Sequence, residues 1–187
     1  GGLKMQFDKG SSRARGRVRS PEDRLREELQ DFLQRQDKGC VLMCAPHQHN
    51  LMHWVTVIVG PLGSVYEGGL FQVDLHFPDS YPCSPPSVQF ITPVFHPGIP
   101  VDGLVCTLCT RVVGFHWNAS TTAFDILTHL VDILADPVLG CVDGNLEAWD
   151  LWTHDHQAFQ LRVAEETLKH TITLDMLLAD QDAGDES

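Results

Sequence analysis

The sequence predicts an α+β domain: one helix, a four-stranded antiparallel meander, an irregular loop, then C-terminal helices. Three observations predict it. A helix-start signal at Ser20-Pro21-Glu22-Asp23 precedes Leu25, Leu29, Phe32 and Leu33 at helical spacing. Four short segments rich in β-branched residues then follow, separated by Gly and Pro breaks. Helical apolar patterning returns only beyond residue 120, so strands and helices are segregated along the chain rather than alternating.

In the first helix Ser20 is the N-cap residue, Pro21 occupies the first helical position, and Asp23 stands three residues after the cap. Asp37-Lys38-Gly39 stops it. The strands are expected at Val41–Ala45, His53–Val59, Leu70–Phe77 and Ser87–Thr92. Gly60-Pro61-Leu62-Gly63 and Glu67-Gly68-Gly69 suit turns between antiparallel neighbours. Pro78, Pro82, Pro85 and Pro86 cannot sit in a central strand and mark loop. His47, His49 and His53 read as a polar loop connecting strands. After an irregular stretch from Pro93 to Asn118, a helix is expected over Thr121–Leu134, stopped by Asp136-Pro137, with two more near Leu146–Trp152 and Asp155–Ala179.

The chain has 187 residues, 43% hydrophobic and 20% charged, which suits one domain with tails. Its charge is uneven. Residues 1–26 hold eight Lys/Arg against three Asp/Glu, and the remainder five against twenty-two. The expected organisation is a basic, disordered arm at 1–19, a core domain at 20–179 and an acidic tail at 180–187. The arm could touch nucleic acid or anionic lipid, but the acidic body argues against nucleic-acid binding by the core. No apolar run suits a bilayer span or a signal peptide, so no membrane partner is expected and the localisation expected is cytoplasmic and/or nuclear.

Six cysteines (Cys40, Cys44, Cys83, Cys106, Cys109 and Cys141) without a secretion signal read as reduced thiols rather than a disulfide framework. Cys106-Thr107-Leu108-Cys109 is a CxxC, open to a redox or zinc reading completed by Cys40 and Cys44 or by His116. The redox context is wrong, since the motif does not open a helix after a strand. Four-ligand zinc would consume a thiol that follows the flexible, polar Asp102-Gly103, so no metal site is expected.

The chain resembles the ubiquitin-conjugating enzyme family. The resemblance rests on Trp54, the strand to Val59, then Gly60-Pro61, Tyr66-Glu67-Gly68-Gly69 and Phe71; on Tyr81-Pro82 and Pro85-Pro86; on His96-Pro97-Gly98 with Cys106 eight residues beyond Gly98; and on Trp117 and Asp136-Pro137. It covers about Pro21 to Thr171 and implies the ubiquitin-conjugating (UBC) fold. It also implies that Cys106 is the nucleophile, taking the carboxyl end of ubiquitin or a ubiquitin-like modifier as a thioester and passing it to a lysine or a ligase cysteine. Only a thiolate attacks well, and an ordinary thiol pKa near ~8.5 leaves a useful fraction ionised near neutrality. The family carries Asn where this chain has Gly98, so Asn118 or a backbone N–H is the candidate for oxyanion support. By the same resemblance Asp143 is the candidate lysine-activating acid, with Cys141 at the approximate aligned place, and His96 supports the loop. ATP is used by the upstream activating enzyme, so no cofactor is expected. The helix bearing Arg24 and Arg26 fits the face the family offers that enzyme. Cys83 and Asn118-Ala119-Ser120 replace the aromatic and the Ser-Pro-Ala turn with which the family often meets ligases, leaving the ligase unidentified. The alternative expectation is a catalytically silent member acting as a scaffold or binding module.

Overall fold

The computed structural model describes residues 20–105, 116–137 and 144–171; the basic arm, the acidic tail and the end of the last expected helix lie outside them. The element order is α1 (Pro21–Gln34), β1 (Val41–His47), β2 (Asn50–Val59), β3 (Leu70–His76), β4 (Ser87–Phe90), β5 (Leu104–Val105), α2 (Ala123–Ala135), α3 (Leu146–His154) and α4 (His156–His170). The four expected strands pair in sequence order, and the two-residue β5 extends the sheet beyond β4, where Val88 faces Val105. So short a strand is invisible to alternation, which needs several residues to establish a period.

Local chemistry accounts for the element ends. Ser20 Oγ accepts from the Asp23 N–H, and the Asp23 carboxylate accepts from the Ser20 N–H, a reciprocal cap. Thr122 and Asp125 make the same exchange at α2. Between β1 and β2 the chain reverses in two residues, with Gln48 at φ 46° and His49 at φ 63°. Both are left-handed, the geometry that matches the twist of a hairpin. β1 therefore runs on to His47 and β2 starts at Asn50, three residues before the expected His53, so the polar loop read over His47, His49 and His53 is corrected to a two-residue turn. Neither turn residue is glycine, which is why the hairpin gave no sequence signal. Between β2 and β3, a Cβ on Gly60 would sit 1.7 Å from the Tyr66 carbonyl oxygen, so only glycine lets the turn fold over itself.

Strand alternation divides the sheet into two faces. Trp54, Ile58, Phe71, Val73, Leu75, Val88 and Phe90 point inward and join Leu25, Phe32, Ile126, Leu130, Phe159 and Val163 from the helices in one core. His53, Val55, Val57, Gln72, Asp74 and His76 occupy the other face. No helix among the described residues is long and apolar enough to cross a membrane.

One buried carboxylate joins three elements. Glu28 interrupts the apolar stripe of α1 and is 8% exposed. Its Oε1 accepts from Arg24 Nε at 2.5 Å and from the Tyr81 hydroxyl at 2.7 Å, and its Oε2 accepts from the Ala123 N–H at 2.8 Å. The last bond places negative charge at the N-terminus of α2, where the helix dipole favours it. Burial, then the bond to Glu28, pushes the Tyr81 phenol well above its ordinary value, so it stays a donor. Glu28→Ala orphans all three donors at once. The expected loss is about 3 kcal/mol, seen as a lower urea midpoint, whereas Gln30→Ala on the exposed side of α1 should change stability by less than about 0.5 kcal/mol.

Candidate active site

The His96-Pro97-Gly98 loop is pinned from several directions. The His96 ring is fully buried; its Nε2 lies 2.9 Å from the Ile133 carbonyl oxygen in α2, and its Nδ1 accepts the Gly98 N–H at 2.9 Å. A carbonyl can only accept and an N–H can only donate, so these bonds require a neutral ring with its proton on Nε2. Burial pushes the His96 pKa down to about 4, against the pull of the Ile133 carbonyl. The Tyr66 hydroxyl donates to the Phe95 carbonyl at 2.8 Å, and the Phe95 ring lies 6.2 Å from Phe159 of α4. The β2–β3 turn, α2 and α4 thus all hold this one loop.

Gly144 closes it from another side. A Cβ there would be 2.0 Å from the Pro97 carbonyl oxygen and 2.8 Å from the Gly98 carbonyl carbon, so the segment leading into α3 rests directly on the loop. Composition alone gave no reason to single out this glycine.

Leading toward Cys106, the Asp102 carboxylate accepts from the Leu104 N–H at 3.0 Å, and Gly103 donates to the Pro100 carbonyl at 2.9 Å. This turn delivers the chain into β5, where Val105 is 9% exposed and paired with Val88. Cys106, Cys109, Cys141 and Asp143 lie outside the described residues. Of the other thiols, Cys40 is half-buried, Cys83 is exposed, and Cys44 is buried in the core with its pKa pushed up to about 12 by burial and then by Glu28. Cys44 is an inert packing thiol and a poor metal ligand.

On the opposite flank Trp117 Nε1 donates to the Pro82 carbonyl at 3.0 Å, and the Trp117 ring lies 5.7 Å from Tyr81, itself bonded to Glu28. Asn118 follows in an exposed turn. Its Oδ1 accepts from the Ser120 N–H at 2.9 Å and from the Ser120 hydroxyl, while its backbone N–H donates to Thr121 Oγ1 at 3.2 Å. The side-chain oxygen is committed to the turn that starts α2. On α1, Arg24 is bound inward to Glu28 and to the Thr121 carbonyl, whereas the Arg26 side chain is 57% exposed beside Asp23.

The His96 bonds have a pH consequence. The folded-state pKa is depressed, so the unfolded chain takes up a proton near pH 6.5 that the native ring refuses. This contribution is complete above about pH 6.5 and is lost as pH falls toward 4. Wild type should lose about 2–3 kcal/mol more than His96→Gln between pH 7 and pH 4.5, since Gln keeps a donor and an acceptor but does not titrate. Equal slopes in urea titrations of the two proteins would contradict the buried neutral ring.

Comparison with known proteins agrees with this arrangement. The family model described as ubiquitin-conjugating enzyme matches residues 24–167. The chain is 32% identical over 142 residues to ubiquitin-conjugating enzyme E2 2 of Neurospora crassa, covering 75% of this chain and 91% of that protein. It is 32% identical over 144 residues to ubiquitin-conjugating enzyme E2 2 of Debaryomyces hansenii, covering 76% and 83%. With ubiquitin-conjugating enzyme E2 3 of Arabidopsis thaliana it shares 33% identity over 121 residues, covering 65% and 78%. The match begins within α1 and ends within α4, taking in the sheet, the pinned loop and the helices that hold it; the chain belongs to the ubiquitin-conjugating enzyme family.

Proposed function

We propose that this chain is a ubiquitin-conjugating transferase that carries ubiquitin, or a related modifier, as a thioester on Cys106. Family membership over most of the chain carries the reading, together with a cysteine immediately after β5, eight residues from the pinned Gly98. In the first step the Cys106 thiolate attacks the modifier's C-terminal carbonyl, held as a thioester on an ATP-dependent activating enzyme. The activating enzyme's cysteine leaves as a thiolate. In the second step a lysine amine or a ligase thiolate attacks the new thioester and expels Cys106. An amine must also lose a proton, for which Asp143 is the candidate acceptor. The chain itself needs no bound cofactor, because ATP is consumed upstream.

The surroundings of Gly98 bear on the second step. With no side chain at Gly98, and its N–H already donated to His96 Nδ1, the loop has neither of these donors free to support an oxyanion. The NH2 of Asn118, whose Oδ1 is engaged by Ser120, is the candidate that remains. Arg26 is the more available of the two arginines for the activating enzyme, since Arg24 is tied to Glu28. The reduced thiols this chemistry needs suit the cytoplasm or nucleus.

Incubation with activating enzyme, ATP and ubiquitin should give a thiol-sensitive shift on a non-reducing gel. Cys106→Ala should abolish it, while Cys109→Ala and Cys83→Ala, the latter removing an exposed thiol, should retain it. An adduct that survives Cys106→Ala, or no adduct with ubiquitin or any related modifier, would overturn the reading, and the second result would favour a silent scaffold. Gly98 is not among the glycines of positive φ, so a side chain there brings no backbone strain. Gly98→Asn should accelerate discharge to free lysine by on the order of tenfold or more and leave the charging rate unchanged.

A further inference from the structure

The sheet face turned away from the helices carries a cluster that thioester chemistry does not use. His53 of β2 stands directly opposite His76 of β3, and Asp74 precedes His76 by two residues, so alternation puts all three side chains on one face. His53 Nε2 is 2.8 Å from Asp74 Oδ2, and the His53 and His76 rings stack with centroids 3.9 Å apart at 22°. One potential ligand atom from each residue lies within 4.8 Å of those of the other two. Asp74 Oδ1 accepts from Gln72 Nε2 at 3.1 Å, which orients the carboxylate from behind and leaves Oδ2 toward the imidazoles. Outer contacts of this kind orient ligating carboxylates. A third ring, His47 of β1, lies 4.7 Å from His53.

We propose that His53, Asp74 and His76 form a binding site for one divalent transition-metal ion of the zinc type. Two imidazoles and a carboxylate are the N and O donors that zinc accepts, whereas calcium and magnesium prefer oxygen alone. Tetrahedral coordination at metal–nitrogen distances of about 2.0–2.1 Å needs donors about 3.3 Å apart. The widest present separation must close by about 1.5 Å, which rotation of the exposed His76 side chain can supply. His53 would move its proton from Nε2 to Nδ1, a tautomer change with no net proton loss, and Asp74 Oδ2, released from that bond, would become the second ligand. Water completes the fourth position, on the side left open by His76. A network that merely satisfied the buried Asp74 would need His53 alone; it gives no reason for His76 to stand over the same point. The net charge of −12 further favours cation capture. His53 and Asp74 are 21 residues apart on different strands, so the sequence carries no ligand-spacing signal for the site.

The reactive thiols are the competing ligands, and the test caps them, leaving only the inert, buried Cys44. Untagged full-length protein is treated under native conditions with iodoacetamide and titrated calorimetrically with zinc, alongside His53→Ala, His76→Ala and His154→Ala; His154 is an exposed histidine on α3. Each variant is first checked by circular dichroism for wild-type secondary structure, and His76, being exposed, tolerates truncation. The expected result is one zinc per alkylated chain, bound at least tenfold more weakly by His53→Ala and by His76→Ala and unchanged in His154→Ala. No stoichiometric binding to the alkylated protein, or equal affinity in His76→Ala, overturns the proposal. Neither readout involves ubiquitin transfer, so the outcome is independent of the function proposed above.

Discussion

The buried Glu28 carboxylate is the constraint on which the relative placement of α1, the Tyr81 loop and α2 depends. A carboxylate removed from water is tolerable only when its oxygens are fully engaged, and here each acceptor bond reaches a different part of the chain. Arg24 is one helical turn away, Tyr81 lies in the loop after β3, and Ala123 opens α2. Because the three donors approach from fixed directions, the bond set specifies geometry more than it adds net stability. The Tyr81 backbone leads to Pro82, whose carbonyl holds Trp117, and Trp117 leads to the turn at Asn118. One flank of the candidate site is therefore set by a charge buried on the opposite element.

The other flank obeys the same logic with a neutral group. His96 cannot ionise where it sits, and its two nitrogens, one donating and one accepting, link Ile133 of α2 to the Gly98 backbone. The loop before β5 is thus referenced to α2 just as the Trp117 flank is, through Glu28 and Ala123. Both flanks being tied to one helix means that the separation between them changes little when other parts of the chain move.

Much of this was legible in the sequence because it is written in local signals. The cap at Ser20, the Gly60 turn and the four longer strands all follow from residue types at short spacing. What was not legible depends on contacts distant along the chain. Glu28 betrays itself only as an acid interrupting an apolar stripe, and nothing local says that Tyr81 and Ala123 will meet it. Gly144 matters because Pro97 is nearby in space, not in sequence. The first hairpin went unread because Gln48 and His49 adopt left-handed turns without glycine, and the register that sets His53 opposite His76 depends on pairing across the long β2–β3 connection.

The replacement of Asn by Gly98 becomes more consequential once the loop's own hydrogen bonds are traced. A backbone N–H could in principle replace a lost side-chain amide, but the Gly98 N–H is directed at His96 Nδ1 and the Ile99 N–H at the His96 carbonyl. Releasing either would dismantle the loop that frames the reaction. On the transfer chemistry proposed for Cys106, developing negative charge on the thioester oxygen would then have to be met from outside this loop. Attack by an amine makes the heavier demand, since it needs both proton removal and oxyanion support, whereas a thiolate arrives already ionised and a thiolate leaves. If Cys106 carries the thioester as proposed, the donors of this loop among the described residues would favour exchange between thiols over direct aminolysis, and a bound ligase or substrate could bring a further donor with it.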